Sequence, residues 1–167
     1  MKPVIQLSHV TKRFGKTVAL ENVSLSVPPG VVCAVLGANG AGKSTAIRLL
    51  LGLEHADMGT TEVLGMNSRT HTLEIRGRVG YVADQPPLYD WMTADEIGWF
   101  AAGFYPSGYQ QEYLRLLQKF DLQSHQKISA LSKGMRAKVA LSLAMAHRPE
   151  LLILDEPTRG IYVAAKT

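Results

Sequence analysis

The spacing of hydrophobic positions changes several times along the chain, and each spacing predicts a different element. Apolar residues between positions 4 and 10 predict a first strand, and alternating apolar and polar residues over 19–27 predict a second strand with one buried face. Unbroken apolar runs at 31–36 and 151–154 are typical of parallel strands that are buried on both faces. Two shorter strands are predicted at 60–64 and 78–82.

Between these strands the spacing is helical. A helix is predicted over 45–51, and Gly52 is placed to end it. Thr93 and Glu96 stand at the start of a second helix, with the spacing that allows a capping box. An amphipathic helix is predicted over 111–120.

The helices after Thr93 belong to a stretch that interrupts the strand pattern. Residues 86–130 are interpreted as a helical insertion within a larger helical subdomain over 86–148. A second interpretation assigns a partner-binding role to some residues between Tyr89 and Met92. The aromatic side chains predicted to pack the small core of the insertion are Trp91, Trp99, Phe100, Phe104 and Tyr105.

The composition narrows the class of protein. With 46% hydrophobic and 19% charged residues, the chain is typical of a single globular domain over 1–167. The net charge of +4 comes from basic residues that are spread along the sequence, with few aromatic residues among them. This distribution favours a solvated surface and phosphate binding over nucleic-acid binding.

The single cysteine and the lengths of the apolar runs indicate in which compartment the protein is expected and whether the chain itself spans a membrane. Cys33 is the single cysteine and lies in an apolar run, so it is predicted to be a buried, inert thiol in a reducing compartment. No apolar stretch approaches the length that spans a bilayer, and the first residues do not have the pattern of a signal peptide. Any link to a membrane is therefore expected to run through another chain.

The sequence Gly-Ala-Asn-Gly-Ala-Gly-Lys-Ser at 37–44 matches the phosphate-binding pattern G-x-x-x-x-G-K-[ST] at every fixed position. The glycines let the backbone curl so that N–H groups point at an anion, and the following helix directs its positive end there. Lys43 supplies a positive charge for the outer phosphates of a nucleoside triphosphate, and Ser44 supplies a hydroxyl for Mg²⁺. The alternative is a glycine-rich turn that carries Lys-Ser by coincidence. The residues predicted to bind the nucleotide here are Gly37, Ala38, Asn39, Gly40, Ala41, Gly42, Lys43, Ser44 and Thr45.

Two carboxylates follow the apolar run at 151–154. Ligands bind at the carboxyl ends of strands in an open parallel sheet, so Asp155 and the phosphate loop are expected to share that edge. Asp155 is suited to hold Mg²⁺, and Glu156 to orient or deprotonate a water for in-line attack on the γ-phosphate. Lys43 and Glu156 are therefore the predicted catalytic residues. The alternative is a pair of strand-end acids that cap a helix.

Ser132 and Gly134 stand at the start of a predicted helix, in the sequence Leu-Ser-Lys-Gly-Met. A hydroxyl, a backbone without a side chain and the positive end of a helix can form a second anion site. Because the chain has one phosphate loop, this second site needs a separate explanation. The alternative is that the serine caps the helix and has no other role.

The order of these features resembles the nucleotide-binding subunit of an ABC transporter: a phosphate loop, a helical insertion, the Leu-Ser-x-Gly signature, then an apolar strand with Asp-Glu-Pro-Thr. The resemblance runs from about residue 4 to residue 166. It implies an α/β fold, a P-loop NTPase core with a mixed sheet, an N-terminal antiparallel β part and a helical insertion subdomain. The core would comprise 1–85 and 149–167, and the helical subdomain with the signature would comprise 86–148.

The resemblance also implies ligands and partners. Phe14 stands where the family keeps an aromatic side chain that stacks on adenine, with strand packing as the alternative. Two copies would form a head-to-tail homodimer around ATP and Mg²⁺, with Ser132 and Gly134 of one copy at the γ-phosphate bound by the other. The cycle would drive a transmembrane permease subunit, with the ATPase in the cytoplasm on the inner face of the membrane and no nucleic-acid partner. The segment 81–93 most resembles the export branch with separate permease subunits.

The chain departs from the family pattern at two internal places. The family puts glutamine directly after the Tyr-Val-x segment, whereas here Asp84 holds that position and Gln85 follows it. Both are predicted to reach Mg²⁺ or its water. Lys133 and Met135 replace the more common glycine and glutamine of the signature, a change that branches of the family tolerate.

A third departure lies near the end of the chain. Tyr162 stands where the family has aspartate, and no histidine follows Glu156 to act as the γ-phosphate switch. The chain therefore resembles a domain without the C-terminal part of its core, which is expected to weaken ATP binding and to promote aggregation. Two alternative functions stay open: an ATP-binding module with little or no hydrolysis, and an ATP-driven protein that acts on nucleic acid or ribosomes.

Overall fold

The computed structural model describes residues 2–38 and 40–155. The chain divides into two compact units, Met1–Arg76 and Gly77–Thr167. The predicted boundary at 85/86, with 149–167 returning to the core, stays a prediction. In the described part of the chain the elements are β1 Ile5–Phe14, β2 Thr17–Val27, α1 Lys43–Leu50, β3 Met58–Val63, β4 Met66–Asn67, α2 Thr72–Arg78, β5 Val79–Val82, α3 Ala94–Ala102, α4 Tyr109–Lys119, a 3₁₀ turn Ile128–Ala130, α5 Lys133–Met145 and β6 Leu151–Leu154.

The first unit contains a four-stranded antiparallel sheet in the order β2-β1-β3-β4. Strand β1 lies inside the sheet, where Leu7 pairs with Leu25 of β2 and with Thr61 of β3. Leu7 and Val10 of β1 are both buried although they stand three residues apart, because the pairing with β2 shifts register between them, where His9 has φ +51°. The prediction of an N-terminal antiparallel part is therefore confirmed.

Helix α1 ends where the sequence predicts. Gly52 has φ +63°, a left-handed conformation that costs a glycine no steric strain. The Leu53 N–H donates to the Arg48 carbonyl over 2.9 Å, and the Gly52 N–H donates to the Leu49 carbonyl over 3.1 Å. These two bonds form a Schellman motif, which satisfies carbonyls that the helix end leaves without partners.

The second unit combines a parallel strand pair with three helices. Strands β5 and β6 pair in register from Val79 with Leu151 to Val82 with Leu154. Helices α3, α4 and α5 enclose an apolar core, in which Tyr113 is fully buried and donates its hydroxyl to the Ala94 carbonyl. A Cβ atom on Gly98 of α3 would lie only 2.1 Å from the Tyr113 ring, so this helix contact requires glycine. No helix of the described residues is long and apolar enough to cross a bilayer.

The start of α3 confirms the predicted capping box. The Glu96 N–H donates to the Thr93 hydroxyl over 3.2 Å, and the Thr93 N–H donates to the Glu96 carboxylate over 2.7 Å. The two bonds satisfy backbone donors that have no partner within the helix. Helix α3 therefore begins at Ala94, one residue after the cap.

The prediction that five aromatic residues pack the core of the helical insertion is wrong for four of them. Trp91, Trp99 and Phe104 are each more than two-thirds exposed and Phe100 is exposed, whereas Tyr105 is half-buried and packs against the core. Aliphatic residues and two tyrosines fill the core instead, because the inward positions of α3, α4 and α5 carry them. These inward residues include Ile97, Tyr109, Tyr113, Leu116, Leu117, Ile128 and Val139.

The prediction of a buried strand over 31–36 is also wrong. These residues form no strand, and the side chains of Val32 and Leu36 are 83% and 92% exposed. Among the described residues, no strand of the sheet in the first unit pairs with this segment, so the run lacks the ladder that a buried strand requires. Cys33 is consequently exposed rather than buried.

Candidate nucleotide-binding site

The phosphate loop is fixed at its last glycine by the sheet of the first unit. Gly42 has φ +86°, and a Cβ atom there would lie 2.3 Å from the Ala19 carbonyl oxygen of β2. Gly40 has φ +83°, and the Ala41 N–H donates to the Ala38 carbonyl over 3.1 Å, which closes a turn within the loop. The tight curl that the motif predicts is therefore present, and only glycine fits at its end.

Helix α1 starts directly after this curl, at Lys43. Its N-cap residue Gly42 makes no side-chain hydrogen bond, and its first turn contains no acidic residue. The first turn, which includes Ser44 and Thr45, therefore contains no carboxylate that would repel a phosphate. A glycine curl followed by a helix start of this kind fits a phosphate group.

The charge of Lys43 lies over the loop itself. Its ammonium group donates to the carbonyls of Gly37 over 2.7 Å and of Ala38 over 3.1 Å. These bonds hold a positive charge against the loop, where it would add to the helix end in attracting an anion. Asn39, also predicted to contact the nucleotide, lies outside the described residues.

Phe14 lies in the same unit as the phosphate loop. It ends β1, pairs with Thr17 of β2 and is 45% exposed. Gly42 meets β2 at Ala19 and Leu20, and Leu20 pairs with Lys12, two residues before Phe14. At about 3.4 Å per residue the backbone of Phe14 lies ~7 Å further along β1, past a register shift between Lys12 and Arg13. The exposure of the ring argues against simple strand packing.

The second unit brings three predicted site residues to one edge. The Asp155 N–H donates to the Val82 carbonyl over 2.9 Å, so Asp155 continues the pairing of β6 with β5 by one step. Asp84 and Gln85 leave β5 at the same carboxyl end. All three residues therefore lie at the edge where ligands of parallel sheets bind.

This edge does not form a metal cage by itself. Among the described residues there is no group of three or more His, Cys, Asp or Glu side chains that could hold a metal ion. Mg²⁺ commonly binds through one or two carboxylates together with water and substrate phosphates, so Asp155 and Asp84 fit a shared site of that kind. The pairing of Asp155 with Lys43 joins the two units and stays a prediction, and Glu156 lies outside the described residues.

Ser132 caps α5, as the sequence allows. Its hydroxyl accepts the N–H of Met135 over 3.3 Å, and the residue is exposed. A Cβ atom on Gly134 would meet nothing within 4 Å, so the first turn of α5 is open on that side. The cap is therefore present, and the role of Ser132 and Gly134 toward a second ATP stays a prediction.

Four exposed aromatic side chains form a cluster, of which three were predicted to lie in the core and the fourth, Tyr89, belongs to the segment with the partner-binding alternative. The Tyr89 ring lies 6.0 Å from both Trp91 and Phe100, and Phe100 lies 5.6 Å from Phe104. We name these four residues the aromatic patch. Helical spacing gave no signal for this exposure: Phe100 stands three residues after the inward Ile97, and the other three residues of the patch lie outside α3.

Comparison with known proteins agrees with this geometry. Residues 20–159 match the family model described as ABC transporter. The chain is 34% identical over 166 residues to the bacitracin transport ATP-binding protein BcrA of Bacillus licheniformis, covering 96% of this chain and 53% of that protein. It is 36% identical over 162 residues to the sulfate/thiosulfate import ATP-binding protein CysA of Ralstonia nicotianae, covering 92% and 43%.

Solved structures show the same fold. An ATP-binding subunit of an ABC transporter superposes with a TM-score of 0.81 at 30% identity, covering 92% of this chain and 66% of that one. A dimeric ATP-binding cassette in a post-hydrolysis state, bound to ADP and Pi, gives a TM-score of 0.81 at 26% identity, covering 95% and 76%. The fold and the phosphate loop thus define an ATP-binding cassette. The chain belongs to the ABC transporter family, and it spans about half the length of the curated relatives named above.

Proposed function

We propose that this chain binds and hydrolyses ATP to energise transport through a membrane permease. The observation that carries the proposal is the phosphate loop, whose final glycine is held against β2 and whose following helix has no acidic residue in its first turn. Membership of the ABC transporter family supports ATP as the nucleotide. The relatives include proteins named for import and for drug transport, so the cargo and its direction are not part of the proposal.

The proposed roles follow from the chemistry of each group. The loop N–H groups and Lys43 bind the phosphates, and the Phe14 ring stacks on adenine. Ser44 and Asp155, with Asp84 and Gln85 near them, would hold Mg²⁺, which when bound offsets negative charge on the phosphates. Glu156 orients or deprotonates the attacking water.

A second copy of the chain would complete the site. The hydroxyl of Ser132, the open backbone at Gly134 and the positive end of α5 suit an anion held by the phosphate loop of that copy. The dimeric cassette among the structural relatives supports this arrangement. Closing around ATP and opening after hydrolysis would then transmit force.

We place the permease contact at the aromatic patch. The four rings of the patch lie in the second unit and are exposed. Exposed apolar patches of this kind are unusual on a surface that faces only water, and they mark sites of protein association. Docking there would hold the chain at the cytoplasmic face of the membrane. In cells that co-express the permease, Trp91→Ser with Phe100→Ser should lower the membrane-bound fraction of the protein. Leu73→Ser, which removes an 84% exposed leucine of the other unit, should leave that fraction unchanged.

Equilibrium dialysis with Mg²⁺-ATP tests the binding step. Lys43→Ala should weaken ATP binding by at least ten-fold, because it removes the charge over the loop. Lys119→Ala removes an exposed lysine from the end of α4 and should have no effect. Equal binding by the Lys43 variant would reject the proposed phosphate site.

Phosphate release tests the hydrolysis step and separates the proposal from its main alternative. Glu156→Gln should keep ATP binding and lose turnover if Glu156 activates the water. The sequence has tyrosine at 162, where the family resemblance implies aspartate, which favours a second candidate, an ATP-binding module without turnover. Absence of phosphate release from the unsubstituted chain, with binding intact, would support that second candidate.

A further inference from the structure

The ammonium group of Lys12 lies at the centre of a small cluster around the Phe14 ring. It is 5.0 Å from the centroid of that ring, within the range of a cation–π interaction. It also lies 3.6 Å from a carboxylate oxygen of Glu54 and 3.8 Å from one of Asp57. The Lys12 side chain is only 12% exposed, so this charge is held in place rather than solvated.

The carboxylates are themselves attached to the strand that carries the ring. Asp57 accepts the Arg13 N–H over 2.6 Å through its other oxygen, and its own N–H donates to the Thr11 carbonyl over 2.9 Å. The cluster therefore joins β1 on both sides of Lys12 to the segment before β3. Such double attachment restricts the position of the ammonium group relative to the ring.

We infer that Lys12 is a positioning residue for the nucleotide base: held by Glu54 and Asp57, it covers one face of Phe14 and orients the opposite face for stacking. The ring is 45% exposed although the ammonium occupies one face, so its opposite face and rim carry the exposure. A cation on one face also draws electron density from the ring, which lessens repulsion between the two negative π faces of a stack. The inference rests on the proposed function, because it takes Phe14 as the platform for adenine.

The test compares two ligands that differ in the base. Binding of Mg²⁺-ATP and of Mg²⁺-tripolyphosphate is measured for the full chain and its variants. Phe14→Ala should weaken ATP binding about ten-fold and leave tripolyphosphate binding unchanged, since stacking involves only the base. Lys12→Met should weaken ATP binding about three-fold, again without an effect on tripolyphosphate. Lys12→Arg, which keeps a cation able to stack on the ring, should restore ATP binding to within two-fold.

A matched variant controls for net charge. Lys16→Met removes the same charge from the exposed turn of the same hairpin and should change neither affinity. If Lys12→Met weakens both ligands equally, Lys12 acts only as a general charge and the inference is overturned. If Phe14→Ala weakens ATP alone while Lys12→Met does not, the inference fails and the adenine platform stands. If Phe14→Ala spares ATP, the platform fails and the inference fails with it, while loss of ATP binding in Lys43→Ala would still support the phosphate site.

Discussion

Two apolar runs of this molecule have different structures, since one forms a paired strand and the other does not. Residues 151–154 form β6, pair in register with β5 and bury Ile153 to 8% exposure. Residues 31–36 form no strand, and their valine and leucine side chains are exposed. Both runs are unbroken and apolar, so apolar character alone does not decide between the two outcomes.

The difference lies in what surrounds each run within its own unit. Strand β5 lies beside β6 and is itself covered by α5, so closely that a Cβ atom on Gly80 would lie 2.3 Å from the Ala144 carbonyl oxygen. The sheet of the first unit offers no such partner to residues 31–36. A buried parallel strand therefore requires a neighbouring ladder and a covering helix, and the apolar run supplies neither.

Placing a charge in each run tests this comparison most strongly. Ile153→Asp should destabilise the second unit by about 3 to 5 kcal/mol, because it buries an unpaired carboxylate in place of an apolar side chain. Val32→Asp alters a side chain that is already 83% exposed and should change stability by less than about 0.5 kcal/mol. Urea unfolding of both variants gives the two values. Equal losses would show that residues 31–36 are buried in solution.

Substitutions of two glycines in the phosphate loop provide the next test. The loop contacts β2 at its last glycine, Gly42, whereas the apolar run before the loop pairs with no strand of that sheet. Gly42→Ala should cost about 2 to 3 kcal/mol, from a positive φ together with overlap of the new Cβ and the Ala19 carbonyl. Gly40→Ala shares the positive φ but has open space around it, so strain alone should cost about 1 kcal/mol. Thermal melts measure both. A smaller loss for the Gly42 variant would contradict the contact with β2.

The features that the sequence predicted correctly are those set by nearby residues. The capping box of Thr93 and Glu96, the helix end at Gly52 and the cap at Ser132 each depend on a few adjacent positions. The local curl of the phosphate loop belongs to the same group, because its glycines set the backbone conformation directly.

The features that sequence reasoning missed depend on residues far apart in the chain. The bond from Arg13 to Asp57 crosses 44 positions, and the cluster around Lys12 exists only because β1 lies beside the segment before β3. Which aromatic residues face outward depends likewise on how α3 meets α4, through the contact of Gly98 with Tyr113. Local spacing contains no information about such contacts.

Acid should destabilise the second unit more than the first. The second unit contains the buried carboxylate of Glu112, which is paired with two arginines. Hydrogen bonds from Arg115 and Arg148 lower the pKa of Glu112 to about 2. Its contribution to stability is therefore complete above the ordinary pKa of 4.5 and is lost as the pH falls from there toward 2. Glu112→Gln should cost about 1 kcal/mol at pH 7 and flatten that acid dependence. Glu21→Gln, on exposed β2, should leave it unchanged, and an unaltered slope in the Glu112 variant would contradict the assignment.

Chemical labelling of the Cys33 thiol tests whether residues 31–36 are exposed, and it requires no substitution in the chain. As the single cysteine of the chain, it gives one labelling signal, and its exposure predicts that a disulfide reagent reacts with the native protein within about ten-fold of the rate in urea. A strand buried on both faces would have to open first, and each 1.4 kcal/mol of opening free energy slows labelling by a factor of about ten. Protection of a thousand-fold would therefore show that residues 31–36 are covered in solution, and the contrast with β6 would disappear. Repeating the ratio of native to urea rates on the Val32→Asp variant provides the control, because a carboxylate beside the thiol slows labelling in both states while the ratio still reports exposure.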